Sequence, residues 1–201
     1  MKNVLIACEE SQTECIEFRK LGINAFSCDL QDCSGGHPEW HIKGDCWDYI
    51  LDNSWDLIIA HPPCTYLAKS GLCHLYDQRQ NKLDADRMLN VIKARDFFMA
   101  FCLYGMKGHR VAIENPVPHR FAMLPKQSQI IQPYAFGDIY SKQTCLWLFN
   151  VPPLMAKYGY TEKRKTPDSI SYTSLSRDIK TRSKSFPGIA KAMAEQWSKI
   201  L

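Results

Sequence analysis

Short apolar runs alternate with helix-like segments through the first two thirds of the chain, and this alternation constrains the fold more than any other feature. The runs Asn3–Ala7 (NVLIA) and Trp55–Ala60 (WDLIIA) are typical of strands buried on both faces of a sheet. Ser11–Leu21 has apolar residues at helical spacing, and Gly22 follows it as a C-cap. The pattern predicts a three-layer α/β fold, in which helices cover both faces of a mostly parallel, twisted sheet.

The rest of the chain continues this pattern up to a polar segment near its end. Further strands are predicted at Ala25–Leu30, Arg110–Glu114 (ended by Asn115–Pro116) and Cys145–Phe149, and helices at Asp84–Tyr104 and Pro187–Ile200. The segment 158–185 is rich in Ser, Thr, Lys and Arg, which favours a loop or a mobile arm.

A chain of 201 residues has room for one domain or two small ones. We interpret 1–201 as a single domain that contains a basic arm at 150–186.

Basic charge is concentrated towards the end of the sequence. Residues 1–150 contain 15 Lys or Arg and 17 Asp or Glu, whereas residues 151–201 contain 10 and 4. A basic segment on a near-neutral body indicates a polyanionic partner, although a solvated surface that maintains solubility has the same composition.

The cysteines and the N-terminus bear on the cellular compartment. Nine cysteines indicate a secreted disulfide scaffold only in a short chain behind a signal peptide. Here MKNVLIACEESQTE becomes acidic after five or six apolar residues, and no apolar run approaches the roughly 18 residues that cross a bilayer. We therefore expect a reduced, cytoplasmic protein without a membrane partner.

Chemically informative residues follow the apolar runs, where an open α/β sheet binds its ligands. Asp29 ends the second predicted strand, where an acid hydrogen-bonds ribose hydroxyls or simply caps a helix. Asp45 is suited either to accepting a hydrogen bond from an exocyclic amine or to capping a helix that begins at Cys46.

Cys64 and Glu114 are the strongest candidates for chemistry. In HPPC, two prolines fix the backbone directly after an apolar strand, so Cys64 is presented at the sheet edge. This favours a nucleophile over the buried, inert cysteine that is commonest for this residue type. In AIENPV, Glu114 is costly to bury unless it is paired. It is interpreted as a group that acts on substrate, or as an ion-pair partner of Arg110 or Arg120.

The order of these motifs resembles that of the DNA (cytosine-5) methyltransferases. The resemblance rests on an apolar first strand followed by Asp29, Gly44-Asp45, Pro62-Pro63-Cys64 and Glu114-Asn115-Pro116. The segments ACEESQ, CSGGHPEWH, IIAHPPCTYLA and CLWL are similar in particular to short phage and prophage members. The resemblance spans nearly the whole chain, and PPC followed by ENP is its most specific part. It implies a Rossmann-like, S-adenosylmethionine-dependent methyltransferase fold that acts in the cytoplasm of a bacterium or a phage-infected cell.

The resemblance also implies a set of site residues. Cys64 is expected to add as a thiolate to carbon 6 of a cytosine flipped out of duplex DNA, so that carbon 5 takes a methyl group from S-adenosylmethionine. Glu114 is expected to hydrogen-bond the ring nitrogen and exocyclic amine. Asn115 and Lys142 complete the catalytic set. The expected cofactor-binding residues are Ala7, Cys8, Glu9, Ser11, Asp29 (ribose), Asp45 (adenine), Cys46 and Pro62, and no metal is expected.

Two segments differ from the family pattern. Ala7-Cys8-Glu9-Glu10-Ser11 stands in place of the Gly-rich FAGxGG loop. In SKQTCLWL, Lys142 and Thr144 stand near the two arginine positions of the family's QxRxR entry to a strand.

Two other functions fit parts of the sequence. An amino methyltransferase acting on adenine or cytosine uses a [DNS]PP[YFW] turn, and HPPC has the prolines but has Cys64 in the aromatic position, which favours carbon methylation. A non-catalytic nucleic-acid-binding module would need only the basic segment, with Tyr158, Tyr160 and Tyr172 interleaved. A zinc site is a further, weaker alternative: Cys33, His37, His41 and Cys46 lie within fourteen residues, at a spacing that fits no common zinc finger.

We predict short or relaxed sequence recognition. The predicted core from the first strand to CLWL leaves only 150–186 for reading DNA, where typical family members have a large separate domain. That basic arm is expected to act largely through phosphate contacts. Methylation of a defined genome, followed by base-resolution mapping, checks this prediction. A recognition sequence of roughly six or more fixed bases would contradict it.

Overall fold

A computed structural model describes residues 2–77, 82–156, 170–171 and 184–201. Its strands are β1 (Asn3–Ala7), β2 (Asn24–Asp29), β3 (His41–Lys43), β4 (Leu57–Ala60), β5 (Tyr76–Asp77), β6 (Lys82–Leu83), β7 (Val111–Pro116), β8 (Gln129–Ile131), β9 (Tyr140–Ser141), β10 (Thr144–Phe149) and β11 (Ile170–Ser171). Its α-helices are α1 (Thr13–Lys20), α2 (Cys46–Asp52), α3 (Lys69–Leu72), α4 (Ala85–Met106) and α5 (Pro187–Trp197). Short 3₁₀ turns lie at Pro38–Trp40, Arg120–Ala122, Pro133–Phe136 and Ser198–Ile200.

Seven strands form one sheet in the order β3-β2-β1-β4-β7-β10-β8. β1, β2, β3, β4 and β7 are parallel, whereas β10 runs antiparallel to both β7 and β8. The mostly parallel α/β sheet expected from the sequence is confirmed, and it is compatible with a Rossmann-like fold. β2 and β3 lie successively on one side of β1, whereas β4 and β7 lie on its other side, so the strand order reverses between β1 and β4. Ligands of open α/β sheets bind at the carboxyl ends of the strands beside such a reversal.

The central strands are apolar because helices cover both of their faces. Side chains alternate along β1, so Val4 and Ile6 join one apolar cluster and Leu5 and Ala7 the other. The first cluster includes residues of α1 and α5, and the second includes residues of α2 and α4. This explains the continuous apolar runs of β1 and β4, and it confirms the predicted layers of helix, sheet and helix. In the described part of the chain, no helix is both long and apolar enough to cross a bilayer.

The ends of the helices follow from local chemistry. Asp84 caps α4 by accepting from the amide of Arg87 at 2.9 Å, and Asp45 caps α2 by accepting from the amide of Trp47 at 3.0 Å. Gly22 follows α1 with a φ of 76°, a left-handed conformation that glycine adopts readily. The predicted helices lie within two or three residues of the observed bounds.

One predicted strand boundary is wrong, and one predicted segment lies mostly outside the described residues. The prediction that Asn115–Pro116 ends the strand at Glu114 is wrong, because the antiparallel partner β10 extends the ladder as far as a Thr144–Pro116 pair. The predicted arm at 158–185 lies almost wholly outside the described residues, and stays a prediction. Within it, Ile170–Ser171 pairs with β9 as a short parallel strand.

We predict that Trp147→Ala lowers the free energy of unfolding by about 3–5 kcal/mol. The Trp147 ring is 2% exposed, meets Phe98 edge-on at 4.9 Å, and donates from Nε1 to the Pro125 carbonyl at 2.8 Å. Leu103→Ala is the control, because Leu103 is 57% exposed on α4 and its loss should cost less than about 0.5 kcal/mol. Urea unfolding followed by circular dichroism measures both, and equal effects would contradict the prediction.

Candidate active site

A cleft of about 580 Å³ lies at the carboxyl ends of the central strands, beside the reversal between β1 and β4. It is lined by Cys8, Glu9, Glu10, Ser11, Asp29, Gln31, His61, Pro62, Pro63, Cys64, Thr65, Glu114, Asn115, Pro116, Lys142, Lys184 and Ser185. Nine of the twelve predicted site residues are in this set, including all four of the predicted catalytic ones. The remaining three are Ala7, Asp45 and Cys46.

Those three residues lie next to the cleft without lining it. Ala7 is fully buried at the end of β1, and Cys46 is buried at the start of α2. The Cys46 side chain, hydrogen-bonded to Cys8, raises the pKa of the Cys8 thiol well above its ordinary value, and burial adds to this. The Asp45 carboxylate is the N-cap of α2. The helix-capping alternative for Asp45 is therefore observed, and its contact with an adenine stays a prediction.

The loop between β1 and α1 is built by side-chain hydrogen bonds. Cys8 and Gln12 have φ values of 60° and 59°, a left-handed conformation that costs energy outside glycine. The Gln12 amide bonds both backbone groups of His37, donating to its carbonyl at 2.8 Å and accepting from its N–H at 3.0 Å. Glu9 Oε1 accepts from the amide of Glu14 at 2.8 Å. These contacts fix the backbone of the loop that stands in place of the Gly-rich loop of the cytosine-5 methyltransferases.

The turn that carries Cys64 is fastened to the end of β7. Asn115, which is 1% exposed, donates from Nδ2 to the Pro62 carbonyl at 2.7 Å. The Cys64 carbonyl accepts from the amides of Leu67 and Ala68 at 3.0 and 2.9 Å. The Cys64 side chain is partly exposed and faces the cleft. The Asn115 side chain therefore fixes the position of Pro62, and with it that of Cys64.

Glu114 has a partner that the sequence did not indicate. Its Oε2 accepts from His61 Nδ1 at 3.2 Å, and His61 Nε2 lies 3.4 Å from Oε1 of Glu14. The alternative of an ion pair with Arg110 or Arg120 is not observed: Arg110 precedes β7 at the opposite edge of the sheet, and the Arg120 guanidinium lies over the Phe121 ring. His61 thus lies between two carboxylates.

The protonation of this cluster follows from burial and from neighbouring charge. Burial by itself lowers the pKa of His61, but the carboxylates of Glu14 and Glu114 outweigh it, so the pKa is raised above 6.5. Burial opposes ionisation of Glu14, but His61 and hydrogen bonds from Glu9 and Ser185 lower its pKa below the ordinary value. Burial, with Glu14 adding, raises the pKa of Glu9 well above its usual range. Burial and neighbouring charge thus favour the neutral form of Glu9, the ionised form of Glu14 and the cationic form of His61.

Among the residues at the cleft and the recess beside it, Glu14, His61 and Lys184 were not predicted as site residues from the sequence. His61 carried a usable signal, since it directly follows β4 at the edge where ligands bind. Glu14 resembles an ordinary acid in the first turn of a helix, and nothing local shows that it faces His61. Lys184 donates from Nζ to Ser34 Oγ at 3.2 Å, a contact between distant segments beside the cleft.

The histidines with metal-like spacing are engaged with other groups. The His41 ring bonds Ser27 Oγ at 2.8 Å and the Gln31 carbonyl at 2.9 Å, and the His37 ring stacks on Trp40 at 3.9 Å. Among the residues that the structure describes, no group of three or more His, Cys, Asp or Glu is placed to hold a metal ion.

No family model matches this chain, and no curated protein matches it at a significant level. The site is therefore interpreted from its own geometry.

We predict that the stabilising effect of His61 depends on pH. Because its pKa is raised in the folded state, the cation contributes fully below pH 6.5, and the contribution is lost as the pH rises through the raised pKa. The free energy of unfolding of the wild type, minus that of His61→Asn, should therefore decrease as the pH rises above about 7. Urea unfolding at a series of pH values measures this. A difference that stays constant or grows above neutral pH would contradict the prediction.

Proposed function

We propose that this protein is an S-adenosylmethionine-dependent methyltransferase that methylates carbon 5 of cytosine in DNA through a covalent cysteine adduct. One observation carries the proposal: Cys64 and Glu114, far apart in the sequence, line one cleft at the ends of the neighbouring parallel strands β4 and β7. A thiol and a carboxyl group in one cleft are the two groups that this chemistry requires.

The residues around the cleft fit S-adenosylmethionine. The cleft volume of about 580 Å³ is in the usual range for small-ligand sites. Asp29 ends β2 at the cleft, where an acid binds ribose hydroxyls, and its Oδ1 accepts from the amide of Gln31, which leaves Oδ2 for a ligand. The loop of Cys8, Glu9 and Ser11 would hold the methionine part. When bound, the cofactor supplies a methyl group attached to a positively charged sulfur.

Each catalytic residue has a step that its position supports. The Cys64 sulfur forms a bond to carbon 6 of the cytosine, which makes carbon 5 nucleophilic. Glu114 accepts a hydrogen bond from the exocyclic amine through one oxygen, and its protonated second oxygen donates to the ring nitrogen, where negative charge develops as the sulfur adds. After carbon 5 has taken the methyl group, it loses its proton, the bond from sulfur to carbon 6 breaks, and the thiolate is regenerated. Lys142 lines the cleft and supplies positive charge there, to which His61 adds when it is protonated.

Carbon methylation fits this cleft better than amine methylation. An amine attacks a methyl donor directly and needs no thiol, whereas Cys64 occupies the position that an aromatic residue would hold in an amino methyltransferase. The DNA partner proposed here is a duplex with the cytosine flipped out, because carbon 6 of a stacked base is inaccessible to Cys64.

We predict that the protein forms a covalent complex with DNA that contains 5-fluorocytosine, in the presence of S-adenosylmethionine. The adduct persists because carbon 5 then carries fluorine in place of the proton that must leave. Denaturing gel electrophoresis should show the complex for the wild type and a loss of roughly 100-fold or more for Cys64→Ser.

The matched control for this experiment is Cys73→Ser. Cys73 is exposed just after α3, and its thiol donates to the Ser70 carbonyl. This variant should trap as much DNA as the wild type. Trapping by Cys64→Ser, or none by the wild type, would overturn the proposed function.

A further inference from the structure

The cleft has one acidic side and one side that leads into segments without acids. Glu10 and Asp29 line the cleft just after β1 and at the end of β2. Apart from Glu114 at the cleft itself, the segments that lead away from β4 and β7, 61–76 and 115–137, contain no Asp or Glu, although about one residue in ten of the chain is acidic. The side of β4 and β7 is therefore the one that suits an anionic partner.

The two acid-free segments are fastened to each other beside the cleft. Both begin at the cleft, which Thr65 and Pro116 line. Beyond it, the His119 amide donates to the Leu67 carbonyl at 2.8 Å, and an isolated antiparallel bridge joins the two segments. These contacts form one continuous surface at the mouth of the cleft, on the side of the Cys64 turn. We call this surface, formed by 65–70 and 117–123, the basic rim.

The basic rim presents two cations to solvent. Lys69 and Arg120 are both exposed, and no carboxylate of the described residues forms an ion pair with either of them. The Lys69 amide donates to the Val117 carbonyl at 3.5 Å, so the two cations belong to segments that contact each other. Exposed cations without acidic neighbours in sequence bind phosphates of a polyanion.

A short 3₁₀ turn holds an aromatic ring out from the basic rim. Ala122 is fully buried in the apolar cluster that contains residues of α4, whereas the neighbouring Phe121 is 44% exposed. His119 Nδ1 caps the turn by accepting from the Phe121 amide at 3.3 Å, and the Arg120 guanidinium lies 4.9 Å from the centre of the Phe121 ring. A cation and an aromatic ring held together are suited to binding a phosphate and the face of an unstacked base.

We propose that the basic rim binds duplex DNA next to the cleft: Lys69 and Arg120 contact backbone phosphates, and Phe121 packs against a base that is exposed where the duplex opens. The inference rests on the proposed function, because a base that enters the cleft leaves its neighbours partly unstacked. It assigns DNA contacts to the α/β sheet domain itself, whereas the sequence predicted them in the arm at 150–186.

The two kinds of contact have different experimental signatures. A cation on a phosphate releases condensed counterions, so its loss weakens binding to every sequence and lowers the slope of log K against log salt. An aromatic ring on a base releases no counterion, so its loss weakens binding and leaves the slope unchanged. The proposal therefore predicts different patterns for Arg120 and Phe121, although they are adjacent in the chain.

Fluorescence anisotropy of a labelled DNA duplex tests the proposal. The full chain is used without cofactor, at salt concentrations of about 50–200 mM, so that binding is measured apart from methyl transfer. Arg120→Gln and Lys69→Gln should each weaken binding severalfold and lower the magnitude of the slope by about 1. Arg120→Lys keeps the charge and should keep the slope. Phe121→Ala should weaken binding roughly tenfold at the slope of the wild type.

Lys107→Gln and Met106→Ala are the matched controls. Both residues are exposed at the end of α4, close in the chain to the start of β7 and thus at the opposite edge of the sheet. Both variants should bind the duplex as the wild type does. If Lys107→Gln changed the affinity and slope as much as Arg120→Gln, binding would respond only to net charge, and the proposal would be overturned.

The remaining outcomes separate this inference from the proposed function. Rim variants with the affinity and slope of the wild type overturn the inference, as does a wild type that does not bind the duplex. Rim variants that leave DNA binding unchanged but convert a wild-type dimer to a monomer in size-exclusion chromatography show a contact between copies of the chain, which also overturns it. Duplex binding that depends on Arg120 and Phe121, without any formation of 5-methylcytosine, supports the rim and defeats the proposed function.

Discussion

The parallel pairing of β4 with β7 is the constraint on which the site depends. Ala60 is in register with Ile113, so the next residues along the two strands, His61 and Glu114, lie side by side. One strand over, Ala7 is in register with Ala60, and the His61 amide donates to the Ala7 carbonyl at 2.9 Å. A shift of one residue between β4 and β7 would reverse the faces of their side chains and separate the imidazole from the carboxylate. The apolar runs are therefore part of the site, because their burial on both faces fixes this register.

The cost of burying charge explains the second layer of the site. Glu114 bonds the His61 ring at 3.2 Å. Burial disfavours the charged form of His61, and the carboxylates of Glu14 and Glu114 outweigh that effect. Burial raises the pKa of Glu9 well above its usual range, which favours its neutral form. The loop from Cys8 to Gln12 adopts two left-handed residues, and its side-chain bonds to Glu14 and His37 offset that strain. Charge and backbone strain are thus concentrated around one cleft, as in catalytic sites generally.

The sequence was sufficient for those features that depend on local pattern. Continuous apolar runs predicted β1 and β4, and helical spacing predicted α1 and α4. The rule that ligands bind at strand ends placed Asp29, Cys64 and Glu114 at one edge of the sheet, where the structure has them.

Contacts between distant residues were not predictable in this way. The pairing of Glu14 with His61 depends on how α1 packs on the sheet. The extension of β7 to Pro116 depends on the antiparallel β10, which no local pattern in CLWLF distinguishes from a parallel strand. Asp45 illustrates a third case, because one local sequence suited both a helix cap and a ligand contact, and the observed cap does not decide about the ligand.

The most direct test of the central claim identifies the methylated atom. The protein is incubated with duplex DNA and S-adenosylmethionine that carries a deuterated methyl group, the DNA is digested to nucleosides, and these are analysed by mass spectrometry against authentic standards. A site that uses Cys64 and Glu114 as described here predicts deuterium-labelled 5-methylcytosine as the product. Label in N4-methylcytosine or N6-methyladenine, or in no nucleoside at all, would contradict it.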